Sequence, residues 1–182
     1  SGTYELPIGK GKKFGTDWNR ATDAILGGWQ LNAIGSLQSG VHRVIGAPNN
    51  TGIGFVTQRA DATGIDPKSS FNGITPGEGF GSNNANLFWF NPNAFRPAAP
   101  LTFGNSGRNV IVGPGFQNYD LSLFKTWNFT ERYNLRFQFE AFNAFNNVRF
   151  NPPDVNSASP TFGRILGALE GRRLQLALRF TF

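Results

Sequence analysis

The sequence predicts an all-β chain of antiparallel strands that wall a transmembrane barrel, and three observations predict it. Residues 171–182, GRRLQLALRFTF, alternate without a miss: Leu174, Leu176, Leu178, Phe180 and Phe182 fall on one face of an extended chain, and Arg173, Gln175, Ala177, Arg179 and Thr181 on the other. The same period governs residues 118–129 and 133–145, which only Thr130, Glu131 and Arg132 separate, an acceptable hairpin loop. Between such short connections stand stretches without any period, residues 41–116 and 147–166. A half-buried strand of a soluble sandwich alternates as the terminal strand does, so that strand alone decides nothing. The loops break the tie: a compact soluble domain rarely carries about 75 residues of irregular chain, whereas outer-membrane barrels combine long extracellular loops with short periplasmic turns.

The elements follow in order. Residues 3–8 form a short extended piece with Tyr4 and Leu6 on one face, ended by Pro7 and a Gly/Lys turn. Residues 17–26, DWNRATDAIL, read as a short helix capped by Thr16 or Asp17 and stopped at Gly27 and Gly28. In residues 29–40, Trp29, Leu31, Ala33, Gly35 and Leu37 oppose Gln30, Asn32, Ile34, Ser36 and Gln38, with Ile34 the one exception on the polar side. Residues 41–116 are rich in Gly, Asn, Pro and Phe and read as a long irregular loop.

The hairpin comes next. Tyr119, Leu121 and Leu123 share a face with Leu135, Phe137, Phe139 and Ala141, while Asp120, Ser122, Arg136, Gln138 and Glu140 share the other; pairing 123 with 139 keeps the faces matched. Phe124 and Lys125 break the rule, so either Lys125 snorkels to the membrane interface or a bulge flips the face. A second irregular stretch with Pro152, Pro153 and Pro160 leads into the terminal strand. With Phe182 placed in the periplasm, strand directions put both irregular stretches outside the cell and residues 9–28, with their helix, on the periplasmic side. Five strands fall short of the eight or so of the smallest single-chain barrels, so an open, curved sheet with exposed edges is expected.

Composition excludes several functions. The 182 residues include no Cys, no Met and a single His, His42, which removes disulfides, thiol catalysis and Cys-based metal sites. A start at Ser1 without an initiator is expected of a mature piece or a fragment. No apolar run reaches the roughly 18 residues of a spanning helix. A mean hydropathy of −0.29 is compatible with a barrel, whose lumen-facing residues dilute the apolar ones. The net charge of +6 does not point to nucleic acid: the densest basic run, in IGKGKKFG, lacks the phosphate-loop spacing and reads as a solvated turn. An enzyme is not expected either. Its polar candidates would be His42, Asp120, Glu140 and the scattered Ser and Thr residues, and His42 has no acidic neighbour in sequence.

The blocks YELPIGKGKKF, ILGGWQLNAIGSLQSG, FWFNPNAF, FGNSGRNVIVGPGFQNYDLSLFKTW, FQFEAFNAFNNVRFNPP and FGRILGALEGRRLQLALRFTF together resemble, in order, the carboxy-terminal end of TonB-dependent outer-membrane receptors, most closely the Oar-like branch. The resemblance covers essentially the whole chain. It implies an outer-membrane barrel of about 22 strands with a plugged lumen, driven by TonB and taking up a scarce substrate. Residues 1–182 would be the carboxy-terminal portion, without plug or TonB-contacting segment, and loops 41–116 and 147–166 would form part of the extracellular mouth. The implied partners are outer-membrane lipid, the plug, TonB, the barrel-assembly machinery and an unidentified substrate, with no cofactor. Phe182, with Phe180 and Leu178, resembles the carboxy-terminal signal read by that machinery; its plainer role is an interfacial anchor.

Three sets of residues carry these expectations. Asp120, Arg136, Gln138, Glu140, Arg173, Gln175 and Arg179 face the lumen, as charges that hold plug to barrel or touch substrate. Phe88, Trp89 and Phe90 either stack on a sugar or peptide or pack within a folded loop. Tyr4, Trp29, Trp127, Phe129, Tyr133 and Phe182 sit at the periplasmic ends as an interfacial girdle. The alternative is a soluble β-rich binding or adhesion module, which detergent dependence distinguishes from a barrel.

Overall fold

A computed structural model describes residues 1–54, 58–78 and 87–182. The chain divides into two compact units: a wall unit of Ser1–Leu37, Gln117–Val148 and Glu170–Phe182, and a loop unit of Gln38–Phe116 and Arg149–Leu169. In chain order the elements are β1 (Gly2–Glu5), α1 (Arg20–Leu26), β2 (Trp29–Gln38), β3 (His42–Arg43), β4 (Gly46–Ala47), β5 (Gln58–Arg59), β6 (Asp61–Ala62), a 3-10 turn (Pro92–Ala94), β7 (Phe95–Arg96), β8 (Ile111–Val112), β9 (Phe116–Asn128), β10 (Asn134–Phe142) and β11 (Arg173–Thr181). No helix among the described residues is long and apolar enough to cross a membrane.

The wall unit is a five-stranded sheet in the order β1-β2-β9-β10-β11, open at β1 and β11. β1–β2, β9–β10 and β10–β11 pair antiparallel. Gly35 lies against the Tyr119 ring and Trp29 against Lys125, so β2 and β9 also run in opposite directions. Phe139 stands opposite both Leu123 and Leu176, and Phe137 opposite Leu178, which collects the apolar column on one face. That face is bare of protein cover along β11, where Leu176 is 69% exposed. Alternation therefore sets the register, since a slip of one residue would bring Arg136 and Glu140 onto the apolar side.

Pairing of β9 with β10 runs unbroken from Leu121–Ala141 to Asn128–Asn134, so no bulge interrupts the alternation at Lys125. Lys125 stays on the apolar face opposite Phe137, yet it is only 3% exposed, because α1 folds over it. The helix itself begins later than expected. Trp18 N–H donates to Gly15 O at 3.3 Å, closing a turn that uses up the anticipated cap positions Thr16 and Asp17; Asn19 becomes the cap, accepting from Thr22 N–H at 2.8 Å. The strand expected over 133–145 stops at Phe142 because Asn143 turns to φ 51° and Ala144 N–H bonds back to Tyr119 O at 2.7 Å.

The stretch expected to be irregular is a folded unit. Its strands are two residues long and pair as β3-β8, β4-β5 and β6-β7, too short to leave any period in the sequence. A core of Ile45, Ala60, Phe90, Ala94, Phe95, Ile111 and Phe162 holds them together. Phe162 comes from the second irregular stretch, so the two loops share one interior. Backbone bonds join them as well: Gly46 N–H to Val155 O at 2.9 Å, Trp89 N–H to Gly163 O at 2.7 Å and Ile165 N–H to Leu87 O at 2.9 Å. The base of the first loop is closed by His42 opposite Val112 and Arg43 opposite Ile111, and the base of the second by a bridge between Phe150 and Ala168.

Candidate functional site

The polar face of the wall sheet gathers most of the expected lumen residues by register alone. Across β10–β11, Arg136 stands opposite Arg179, Gln138 opposite Ala177, Glu140 opposite Gln175 and Phe142 opposite Arg173. Arg136 and Arg179 are exposed, and among the described residues neither has an acidic partner within salt-bridge distance. The Arg136 guanidinium instead lies 4.6 Å from the Phe124 ring centroid. Phe124, an apparent error in the alternation, thus serves as a platform for a cation on the polar face. Arg173 pairs with Glu170 at 3.3 Å and its guanidinium lies 5.9 Å from the Phe142 ring. Asp120 is engaged locally, its Oδ1 accepting from Asn118 Nδ2 at 2.9 Å and from Asn143 N–H at 2.8 Å.

The girdle residues separate into two groups. Tyr133 stacks on Phe180 at 6.1 Å, Phe180 on Phe182 at 6.2 Å, and Phe129 N–H closes the β9–β10 turn on Tyr133 O at 3.0 Å. Phe180 is thus a member of the stack that alternation alone assigned to the strand. Tyr4, Phe129, Tyr133 and Phe182 are exposed. Trp29 and Trp127 are not free rims but are bound to α1, through indole N–H groups that donate to Ile25 O at 2.9 Å and Ala24 O at 2.6 Å.

In the loop unit Phe88 and Phe90 are core residues. Phe90 is 2% exposed, edge-on to Phe95 at 6.0 Å and to Phe162 at 5.2 Å. Phe88 packs edge-on to Phe71 at 5.0 Å beneath the Arg164 guanidinium at 4.5 Å. Packing within a folded loop accounts for both rings, and neither presents a face to a sugar or peptide. Gly163 makes the packing possible: it sits at φ 83°, and a Cβ there would lie 3.0 Å from Phe90 O and 3.3 Å from the Phe88 ring. Trp89 differs. Its Nε1–H donates to Val112 O at 2.7 Å, and its half-buried ring lines a cleft of about 530 Å³ with Asp66, Lys68, Pro76 and Val110. Nothing in the sequence pattern distinguished Trp89 from its neighbours, since the alternation of burial spans only three residues.

Asp154 anchors the second loop. Burial works against its charge, but hydrogen bonds from the Ser159 and Thr161 hydroxyls and the Asn156 N–H outweigh it and hold the carboxyl below the usual carboxylate range. The Thr161 and Asn156 bonds are 2.6 and 3.0 Å long. His42 lies in β3, whereas Asp120 belongs to β9 and Glu140 to β10.

A sheet with one polar face and one apolar face, bare along β11 and rimmed by aromatics at one end, fits a wall between lipid and water. A family model described as an outer membrane beta barrel domain matches residues 1–175. The chain belongs to that family. No curated protein and no solved structure matches it. As an outer membrane beta barrel domain, the protein resides in the bacterial outer membrane, and Leu135, Phe137, Phe139, Leu174, Leu176 and Leu178 form the apolar column on one face of its sheet. Arg136, Gln138, Glu140, Gln175 and Arg179 share the opposite, polar face of the sheet.

Proposed function

We propose that this chain is the carboxy-terminal wall of a TonB-dependent receptor of the Oar-like kind, which takes up a scarce substrate through a plugged barrel. The observation that carries the reading is the direct opposition of Arg136 and Arg179. Like charges facing each other across a strand pair are destabilising, and two exposed guanidinium groups without an acidic partner among the described residues call for anionic groups from whatever fills the lumen. A plug domain supplies them. In this reading the loop unit forms part of the extracellular mouth, the cleft beside Trp89 is a recess in it, and TonB acts on the plug rather than on this wall. The chain performs no chemistry: Asp120, an acidic candidate for it, spends its Oδ1 on Asn118 and Asn143. Assembly into the membrane by the barrel machinery, with Phe182 in its signal, belongs to the same reading.

The test is photo-crosslinking in outer membranes of the full-length protein, with a benzophenone amino acid at Gln138, between the level of the two arginines and Glu140. Crosslinks to an acidic stretch of the same polypeptide, amino-terminal to this chain, are expected. A residue that is uncrosslinked and freely labelled by water-soluble reagents would instead describe an open pore. Should the protein run as a monodisperse, detergent-free monomer in the analytical ultracentrifuge, a soluble β-rich binding module would replace both.

A further inference from the structure

Three donors from the sheet converge on the carbonyl end of α1. The Lys125 ammonium donates to the Gly27 carbonyl and, at 3.4 Å, to that of Asp23. Trp127 Nε1 donates to Ala24 O at 2.6 Å and Trp29 Nε1 to Ile25 O at 2.9 Å. The last carbonyls of a helix lack intrahelical partners and carry the negative end of its dipole; Asp23 O accepts from Gly27 N–H at 2.9 Å, and one cation and two indoles satisfy those of Ala24, Ile25 and Gly27. All three donors rise from the apolar face. Lys125 stands opposite Phe137 and Trp127 opposite Leu135, and the Trp29 ring meets Phe137 edge-on at 6.0 Å. The Lys125 ammonium is further enclosed by the Trp29 and Trp127 rings, at 5.3 and 5.4 Å.

The preceding turn grips the same helix. Lys10 N–H donates to Asp23 Oδ1 at 2.6 Å, and Gly9 and Gly27 approach so closely that a Cβ on Gly9 would lie 2.9 Å from Gly27 Cα. Toward its carbonyl end, what α1 leaves uncovered is apolar: Ile25 is 66% and Leu26 50% exposed, beside an exposed Ala24, while the exposed Arg20 lies at the opposite end.

We propose that α1 is an interfacial helix docked on the lipid side of the wall, with Ile25 and Leu26 set into the hydrocarbon boundary of the periplasmic phospholipid leaflet. The occupant follows from continuity. The helix covers the lower end of a face that is a lipid contact in an outer-membrane barrel, so the medium around it is the leaflet that wets Leu178 and Phe180. Tryptophans at the carbonyl end match the headgroup level, where amphipathic rings collect, and a short helix with an apolar edge lies in that plane. Lys125 thereby becomes a lock. It occupies a lipid-facing position without exposing its charge to lipid, because the helix it fastens supplies the carbonyls.

The test uses the full-length protein reconstituted in phospholipid vesicles. This chain has no Cys, so Ile25→Cys and Leu26→Cys each place one environment-sensitive fluorophore on it, with Leu178→Cys as the lipid reference and Glu131→Cys in the β9–β10 turn as the water reference. Expected are blue-shifted emission at 25 and 26, quenching by lipids brominated high on the acyl chain, and shielding from iodide. Iodide quenching at Ile25 equal to that at Glu131 would overturn the proposal, and an aqueous signal at Leu178 would instead overturn the placement of the wall. Lys125→Ala should move the Ile25 signal toward water and leave Leu178 unchanged; an unmoved Ile25 signal denies the lock. If that variant fails to assemble, Trp127→Phe keeps the ring and removes one donor, and a shift of the same sign but smaller is required of it.

Discussion

Leu176 in the wall and Phe90 in the loop unit are both large apolar side chains, and the protein treats them in opposite ways. Leu176 is 69% exposed and has Phe139 as its cross-strand neighbour, whereas Phe90 is 2% exposed and enclosed by Phe95 and Phe162. The wall unit turns its apolar column outward and needs a second solvent to cover it; the loop unit turns its aromatics inward, as a protein in water does. One chain is thus written in two patterns, and each substitution reports which solvent its site was built for.

The largest effect is expected in the loop unit. Phe90→Ala should cost that unit about 3–5 kcal/mol, since neighbours on both sides lose an edge-on ring contact and a cavity remains. Hydrogen exchange resolved by mass spectrometry should show lost protection in β4, β5 and the Phe162 segment and none in β10 or β11. Loss spread evenly through the wall would erase the distinction between the two units. Next comes Leu176→Arg, expected to cost roughly 2–4 kcal/mol if the residue lies near mid-membrane, read from folding titrations into lipid. For a side chain this exposed, the same change in a water-facing wall would cost nothing, so a null result breaks the comparison outright.

Much of the wall was legible in the sequence and little of the loop unit was. Period two, running through β11 and most of β10, through β2 but for Ile34, and through β9 as far as Leu123, fixes which side chains share a face, and the single match of position 123 to 139 then fixes the register. Phe124 and Lys125 were legible as an anomaly but not as a solution, because the helix carbonyls that accept Lys125 lie about a hundred residues away in sequence. The loop unit has two-residue strands, so no period can build up, and its core draws residues from two stretches. Only the clustering of Phe, Gly and Asn marked it. Trp89 shows the same limit: its cleft depends on Asp66, Lys68 and Val110, which converge from separate turns.

Two glycines sharpen the comparison at smaller scale. Gly163→Ala should destabilise the loop unit by about 1–2 kcal/mol, because its backbone is left-handed and the new methyl meets Phe90 O at 3.0 Å. Gly35→Ala on the wall adds a methyl 3.4 Å from the Tyr119 ring in extended backbone and should be close to neutral. Thermal unfolding of the paired variants in lipid checks both, and equal costs would contradict the strain argument.

The smallest expected effect is one of pH. The Asp154 carboxyl is held below its ordinary range in the folded loop, so its stabilisation is fully present above the unfolded value near about 4 and is lost as pH falls through the lower folded value. Protease sensitivity of the 149–169 segment should therefore rise on acidification below about pH 4, and Asp154→Asn should show the raised sensitivity already at neutral pH with no further change. An acid response retained in full by that variant would remove Asp154 from the account.

The paired loop bases have a consequence for how the wall assembles. β2 and β9 are sheet neighbours separated by 77 positions of chain, from Gln38 to Phe116 by the bounds of the two strands, a separation whose closure is entropically costly. Once His42 and Arg43 pair with Val112 and Ile111, the chain that still has to be closed shrinks to a few residues at each strand end. On the logarithmic dependence of closure entropy on length, that shortening is worth roughly 2–3 kcal/mol toward joining β2 to β9. A loop unit that folds first in water would hand the two strands to the membrane as a ready-made pair, giving the β2–β9 junction the short effective contour that the β9–β10 hairpin has by sequence.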